Sequence, residues 1–277
     1  MLSPAQLEPS KERSIHEVVG TVVTHRDAAS GYRLLELDVP QEALDCRPGQ
    51  FFHILCPVDG QSQPFLRRPM SIFGYDRDAG RLSFLYKVSG IGTAALSGLD
   101  EGDRLNVVGP LGNGFTIPQN ARHLVLVARG VGLATLAPLA QEARRLGLGL
   151  KAICSARSPE HLMSIDHFRA LGAEVIPVTD SEGTSDPEQL RSLLDGLAEA
   201  DEMDMIYTCG SNRLLKLCQQ VGRDAGIPGE IALEQQMACA IGMCQCCVRP
   251  FRRGGAVVQE RVCREGPVFD IQEAMEW

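Results

Sequence analysis

The sequence has no excess of positive charge, no apolar run long enough to cross a bilayer, and no grouping of residues typical of hydrolytic or acyl-transfer sites. Each absence closes off a class of function. Against 27 lysines and arginines stand 35 aspartates and glutamates, a formal net charge of −8. General attraction to nucleic acid or to an anionic membrane surface is thereby excluded, although Arg67-Arg68 and Arg252-Arg253 remain as local anion contacts. The most apolar stretch, HLVLVARGVGLATLAPLA, is interrupted by Arg129 and by glycines and is too short to span a membrane. The opening MLSPAQLEPSKERSIHEVVG lacks an apolar run of signal-peptide length, so the expectation is a soluble, cytoplasmic protein. The six histidines (16, 25, 53, 123, 161 and 167) form no ligand spacing. No Ser/His/Asp set or pair of carboxylates marks a substrate site, and there are no internal repeats or low-complexity tracts.

What is present is enough chain for about two domains and a small appendage, with 44% hydrophobic residues among 277. After a polar lead-in over residues 1–14, residues 15–118 hold short β-like runs such as YRLLELDVP, GQFFHILCP and GRLSFLYKVSG. Gly, Pro and Asp bound them at the spacing of a small β-barrel. From residue 119 to about 230 apolar strands (RHLVLVA, LKAICSA, AEVIPVT, MDMIYTCG) alternate with helical patterns. The helical segments are LATLAPLAQEARRLG, PEHLMSIDHFRALG, PEQLRSLLDGLAEA and NRLLKLCQQVGRDAG. That alternation predicts a parallel sheet with helices on its faces. Periodicity then fails, and residues 231–277 read as a third, cysteine-rich module.

Ten cysteines in a cytoplasmic chain point to metal before disulfides. Cys239, Cys244 and Cys247 follow a C-x4-C-x2-C pattern, with Cys263 fifteen intervening residues later. This is the plant-type ferredoxin spacing for a [2Fe–2S] cluster. Two irons and two sulfides need four thiolates around a compact anionic core. Small neighbours (Ala238, Ala240, Gly242) let the backbone wrap it and aim N–H groups at sulfur. Structural zinc is the alternative, but zinc ribbons usually pair two C-x2-C units, and only one is present. Cys246 reads as a bystander beside the ligands, and Cys46, Cys56, Cys154 and Cys218 read as buried small hydrophobes. A cluster of this kind moves single electrons and needs a second redox group in the same chain.

Two signals in the β-region suggest a flavin nucleotide. Arg68-Pro69-Met70-Ser71 offers a phosphate-pairing guanidinium beside a short hydroxyl, and LYKVSGIGT runs from a strand through a glycine turn into a helix start that suits a pyrophosphate. In order along the chain stand RRPMSI, LYKVSGIGT, GPLGNGF, TCGS and the cysteine loop ending CREGPVF. That series resembles the ferredoxin-reductase superfamily and, more narrowly, the iron–sulfur electron-transfer subunits of type B dihydroorotate dehydrogenase, over about residues 15–277. The resemblance implies three modules: an FAD-binding β-barrel (15–118), an α/β nicotinamide-binding domain (119–230) and a [2Fe–2S] module (231–277). Carried over residue by residue, it implies flavin contacts at Arg68, Pro69, Met70 and Ser71, at Leu85, Tyr86 and Lys87, and at Gly92 and Thr93. It implies cluster ligation by Cys239, Cys244, Cys247 and Cys263.

For the nicotinamide the first strand end, VARGVGLATLAPL, offers Gly130 and Gly132, and the second, YTCGS, offers Cys209 and Gly210. The family carries glycines where Ala128 and Arg129 stand, and a proline where Ser211 stands. Arg129 then has three readings: a nucleotide-phosphate contact favouring NADP, a plug in the site, or a solvent-facing turn. Cys209 has two, the flavin's reactive edge or the core. Arg157 resembles the segment that reads adenosine in related reductases.

The function implied is electron transfer between NAD(P)(H), FAD, the cluster and a partner, an FMN-containing dehydrogenase of pyrimidine synthesis. Apolar Met243 and Ile241, on a loop expected at the surface, would either meet that partner or pack on the chain's own domains. A reductase subunit for another partner (dihydropyrimidine dehydrogenase, hydrogenase or a ferredoxin system) is the nearest alternative, and a flavin- and metal-binding regulator without turnover is the other.

Overall fold

The structure, a computed structural model, describes residues 14–29, 31–58 and 64–276. The polar lead-in therefore lies almost wholly outside the described residues. The β-region forms seven strands: β1 (His16–Ala29), β2 (Tyr32–Asp38), β3 (Phe51–Ile54), β4 (Arg68–Ser71), β5 (Gly74–Asp76), β6 (Arg81–Lys87) and β7 (Arg104–Leu111). They lie in the order β4-β3-β7-β1-β2-β6-β5, all neighbours antiparallel, as a barrel-like sheet. Alternation sets the inward face, where Leu35, Leu37, Phe52, Ile54, Leu82, Phe84 and Val107 are buried. Phe52 and Phe84 meet edge to face at 5.9 Å, and register shifts in β1 after Val22 and Asp27 bend it. Helix α1 (Ile91–Ser97) follows β6.

The second sheet holds β8 (His123–Arg129), β9 (Gly149–Ala156), β10 (Glu174–Thr179), β11 (Met205–Cys209) and β12 (Gly229–Ala232), all parallel. Helices α2 (Gly132–Leu146), α3 (Ile165–Ala170), α4 (Pro187–Glu199) and α5 (Asn212–Ala225) cover it. Strand β8 is apolar from Leu124 to Ala128 because it is buried there on both faces. Leu124, Leu126 and Ala128 face α2, in a core that also takes Phe73, Leu85 and Phe115 from the β-region. Val125 and Val127 face α4 and α5, in a core that continues into Phe251, Val262 and Phe269. Each face of one sheet is thus shared with a different neighbour.

Two elements differ from the sequence reading. The helix expected across PEHLMSIDHFRALG is a short turn at Pro159–His161 followed by α3. Leu162 is extended and Ser164 takes a φ of 60°, and this detour buries Met163 and Phe168 against α2's core. Packing overrides local helix propensity here. At the other end, β12 lies across residue 230, and the last 45 residues return to the same sheet. After the hairpin β13 (Val248–Arg253) and β14 (Ala256–Arg261), β15 (Val268–Asp270) pairs antiparallel with β12 as the edge strand. Phe251 and Phe269 stack at 4.1 Å between hairpin and edge. Among the described residues no helix is long and apolar enough to cross a membrane.

Candidate functional site

Strand β4, the end of β6 and α1 converge on one wall of a cleft of about 910 Å3. Arg68, Pro69, Met70 and Ser71, then Leu85, Tyr86 and Lys87, and Thr93 all line it. Gly92 is not itself a lining residue, but a Cβ there would come within 2.8 Å of Arg68 Nε. The missing side chain is what lets that guanidinium lie across the helix start. Arg67 also lines the cleft, with its guanidinium paired to Glu17 at 2.8 Å. Thr93 Oγ1 accepts from the N–H groups of Ser89 and Gly90 at 2.9 and 3.0 Å, fastening the turn. His25 Nδ1 donates to Leu99 O at 2.7 Å, so Nε2 accepts from Tyr86 Oη at 2.9 Å. Burial lowers the His25 pKa and raises that of Tyr86, which keeps both neutral.

The opposite wall is the first turn of α2, through Val131, Ala134 and Thr135, and the floor is a strap, Leu233 to Met237, with Pro267. The strap and Phe65 escaped the sequence reading; the strap runs between a strand and the cysteine loop and has no periodicity to mark it. Among the described residues Glu234 is the lone carboxylate lining the cleft. Its side chain keeps exposed area toward the cleft, yet its pKa is raised by burial, because the surface it exposes faces a concavity rather than bulk water. The volume, the apolar walls and the cation at Arg68 fit a flavin nucleotide.

Toward the parallel sheet, a Cβ on Gly132 would sit 2.7 Å from Cys209 O, so α2 starts hard against the end of β11. Gly130 and Gly210 have positive φ of 57° and 94° and shape the two turns. Cys209 is fully buried behind Thr135, its thiol pushed well up by burial, and it does not line the cleft. Of its two sequence readings the structure places it in the core. Arg129 does not face solvent from a turn; it pairs with Asp180 at 2.5 Å across the ends of β9 and β10.

In the cysteine loop, all four candidate ligands are free thiols. Left-handed residues Ala240 (φ 58°), Gly242 (88°) and Gln245 (55°) coil the backbone, and Arg261 Nη1 donates to Gly242 O at 2.9 Å to hold the coil down. Met243 N and Cys244 N point at Cys239 Sγ, 3.3 and 3.4 Å away. Burial raises the Cys239 pKa, but the N–H groups of Cys244, Ile241 and Met243 outweigh it and bring the thiol down to about 6. Cys247 Sγ and Cys263 Sγ lie 3.2 Å apart, and burial together with Cys247 pushes Cys263 up to about 12. Two sulfurs that close cannot both be anionic without positive charge beside them. Among the described residues no three His, Cys, Asp or Glu side chains gather around a single ion position. Cys247 and Cys263 form one close pair of sulfurs, while Cys239 accepts from the backbone N–H of Cys244. Four thiols at this spacing fit a [2Fe–2S] cluster, which Cys239, Cys244, Cys247 and Cys263 would hold. Cys246 is exposed and contacts Gln236 O at 3.8 Å.

Comparison with known proteins agrees with this geometry. The iron–sulfur cluster binding domain of dihydroorotate dehydrogenase B matches residues 234–274, and the oxidoreductase FAD-binding domain matches residues 20–115. The dihydroorotate dehydrogenase B (NAD(+)) electron transfer subunit of Desulforamulus reducens is 35% identical over 85% of this chain and 89% of its own. The subunit of the same name from Caldanaerobacter subterraneus is 33% identical over 92% and 96%. The solved structure of an NADH-dependent reduced ferredoxin-NADP oxidoreductase superposes with a TM-score of 0.74 at 26% identity, over 92% of this chain and 88% of that one. The ferredoxin reductase of carbazole 1,9a-dioxygenase, 21% identical with a TM-score of 0.62 over 77% and 67%, shares the fold.

Proposed function

The chain belongs to the family of dihydroorotate dehydrogenase B electron transfer subunits, and from that premise we propose that it relays electrons between a nicotinamide nucleotide and an FMN-containing catalytic subunit in pyrimidine synthesis. The observation that carries the reading is the strap: Leu233 to Met237 floors the flavin cleft, and Cys239 follows two residues later. One short run of backbone therefore serves both sites. When bound, FAD exchanges electrons in pairs or singly, and the [2Fe–2S] cluster exchanges them singly.

The chain's own residues bind and position. Arg68 sets its charge against a flavin phosphate, while Pro69, Met70, Ser71 and Leu85 to Lys87 form the wall for the ring system, and Gly92 with Thr93 shapes the turn below it. Gly132 and Gly210 let the two strand-end turns pack closely, and Gly130 leaves its own turn open, at the carboxyl edge where the nicotinamide nucleotide would lie, with Cys209 as packing behind. Cys239, Cys244, Cys247 and Cys263 ligate the irons. Exposed Met243 (78%) and Ile241 (45%) lie on the loop beside them, where the catalytic subunit would dock to make a hetero-oligomer. A biosynthetic role supports a cytoplasmic location for the complex.

The test is an absorption and electron paramagnetic resonance spectrum of anaerobically purified protein, before and after dithionite. Flavin together with a reducible two-iron signal supports the proposal; zinc in the cysteine loop, or a chain without flavin, sinks it.

A further inference from the structure

The carbonyl oxygen and the amide hydrogen of one trans peptide unit point in opposite directions, because the unit is planar. The unit joining Gly242 to Met243 uses both ends. Its hydrogen, on Met243 N, is directed at Cys239 Sγ 3.3 Å away, and its oxygen, on Gly242, accepts from Arg261 Nη1 at 2.9 Å. Whatever holds the oxygen therefore aims the hydrogen. A hydrogen bond at the carbonyl also polarises the unit and strengthens its N–H as a donor.

Arg261 is itself fixed from several sides. Its Nε and Nη2 fork onto the Glu265 carboxylate, Nε to Oε2 at 3.0 Å, and its backbone N donates to the same Oε2 at 2.8 Å. Arg264 N and Glu265 N donate back to Arg261 O, both at 2.9 Å, closing a tight turn around Cys263. The β-region braces this turn. Asn113, in the loop after β7, donates from Nδ2 to Glu265 O and from N to Gly266 O, each at 2.6 Å. Gly112, with a φ of 77°, permits the close approach, since a Cβ there would meet Pro267 Cδ at 2.4 Å. Over the coil lies the stem of Arg264, 3.1 Å from where a Cβ on Gly242 would stand. One hydrogen-bonded chain thus runs from Asn113 through Glu265 and Arg261 to Gly242, and so from the flavin-binding region to the donor that faces Cys239.

We propose that Arg261 is a positioning residue for electron transfer: by gripping Gly242 O it aims the Met243 N–H at Cys239 Sγ and so raises the reduction potential of the cluster held by this loop. The proposal rests on the electron-transfer reading above. An added electron increases the negative charge on the cluster's sulfurs, so a donor aimed at one of them favours the reduced state. The charge of Arg261 also acts through space, but the Glu265 carboxylate in contact with it offsets that effect. The geometric role needs a planar guanidinium, whose Nε and Nη2 hold the anchor while Nη1 reaches the carbonyl. A lysine ammonium is a single point and cannot span both.

A redox titration of the full-length holoprotein, followed by electron paramagnetic resonance, reads the midpoint of the cluster apart from the flavin and without turnover. Arg261→Gln and Arg261→Lys should both make reduction about tenfold less favourable, the weight of one charge-assisted hydrogen bond, which lowers the midpoint by about 59 mV for one electron. A midpoint that Arg261→Lys leaves at the wild-type value would show that charge alone matters and overturns the proposal, as does a rise in either variant. Glu265→Asp keeps both charges and only shortens the anchor. It should shift the equilibrium in the same direction by about threefold, and it carries the test if the Arg261 variants take up no iron. An unshifted midpoint there overturns the proposal. Wild-type protein without a two-iron signal would sink the relay reading and this proposal with it, whereas a normal wild-type signal with unshifted variants removes only the role of Arg261.

Discussion

The flavin wall and the cysteine loop prepare for their groups in opposite ways. On the wall, the side chains that do the shaping are satisfied before any ligand arrives: Tyr86 by His25, Thr93 by its own turn, and the strands behind them by a dry core. In the loop the backbone is ready but the sulfurs are not. Cys247 and Cys263 crowd each other at 3.2 Å, and N–H groups crowd toward Cys239. The wall is a finished surface, whereas the loop holds thiols crowded against one another and against backbone N–H groups. The lesson is that removing the flavin should cost mainly binding energy, while removing the irons should cost the loop its shape.

The largest test of that contrast is Cys247→Ser. We expect iron content to fall by more than about tenfold with the flavin spectrum nearly unchanged; loss of both together would erase the distinction. Next, Arg68→Ala should weaken FAD by about ten- to a hundredfold, as for a lost charge-assisted contact. Iron measured in the same sample should stay constant. A smaller effect is expected at the seam between the two regions. Glu230 accepts from Thr116 N and Oγ1 at 2.8 and 2.7 Å, joining the tail of the β-region to β12. Burial first, tempered by those bonds, raises its pKa to about 7. Because the folded value lies above the unfolded one, Glu230 favours folding fully below about 4.5, and that contribution is lost as pH rises through about 7. The melting temperature should drop over that interval by on the order of 2–4 °C for each kcal/mol lost, and Glu230→Gln should flatten the dependence. Smallest of all, Cys246→Ser should leave iron stoichiometry and the paramagnetic spectrum unaltered; a changed spectrum would place a fifth sulfur among the ligands.

How much of this was legible in the sequence follows from the range of the interactions. The cysteine-rich module was readable because three of its four candidate ligands fall within nine residues, at a spacing that is local. The parallel sheet was readable because strands buried on both faces must be apolar throughout, as Leu124 to Ala128 are. The strap at Leu233 to Met237 was not, since its place under the cleft comes from β12 and β15 meeting at the sheet edge. Three residues, Val268 to Asp270, carry too little pattern to announce a strand. Nor could Arg129 be resolved, because its partner Asp180 lies 51 positions away. The interrupted helix before α3 failed for the same reason: Met163 and Phe168 answer to α2, not to their own neighbours.

Strand β15 has one further consequence. The segment from 233 to 267 departs from β12 and comes back to zip against that same strand through Glu230–Asp270, Ile231–Phe269 and Ala232–Val268. A lobe whose entrance and exit are stitched together cannot swing like a tethered arm. Spacing between the two redox stations is thus frozen when the chain folds, and any drag from a viscous solvent should fall on subunit encounter, never on motion inside this polypeptide.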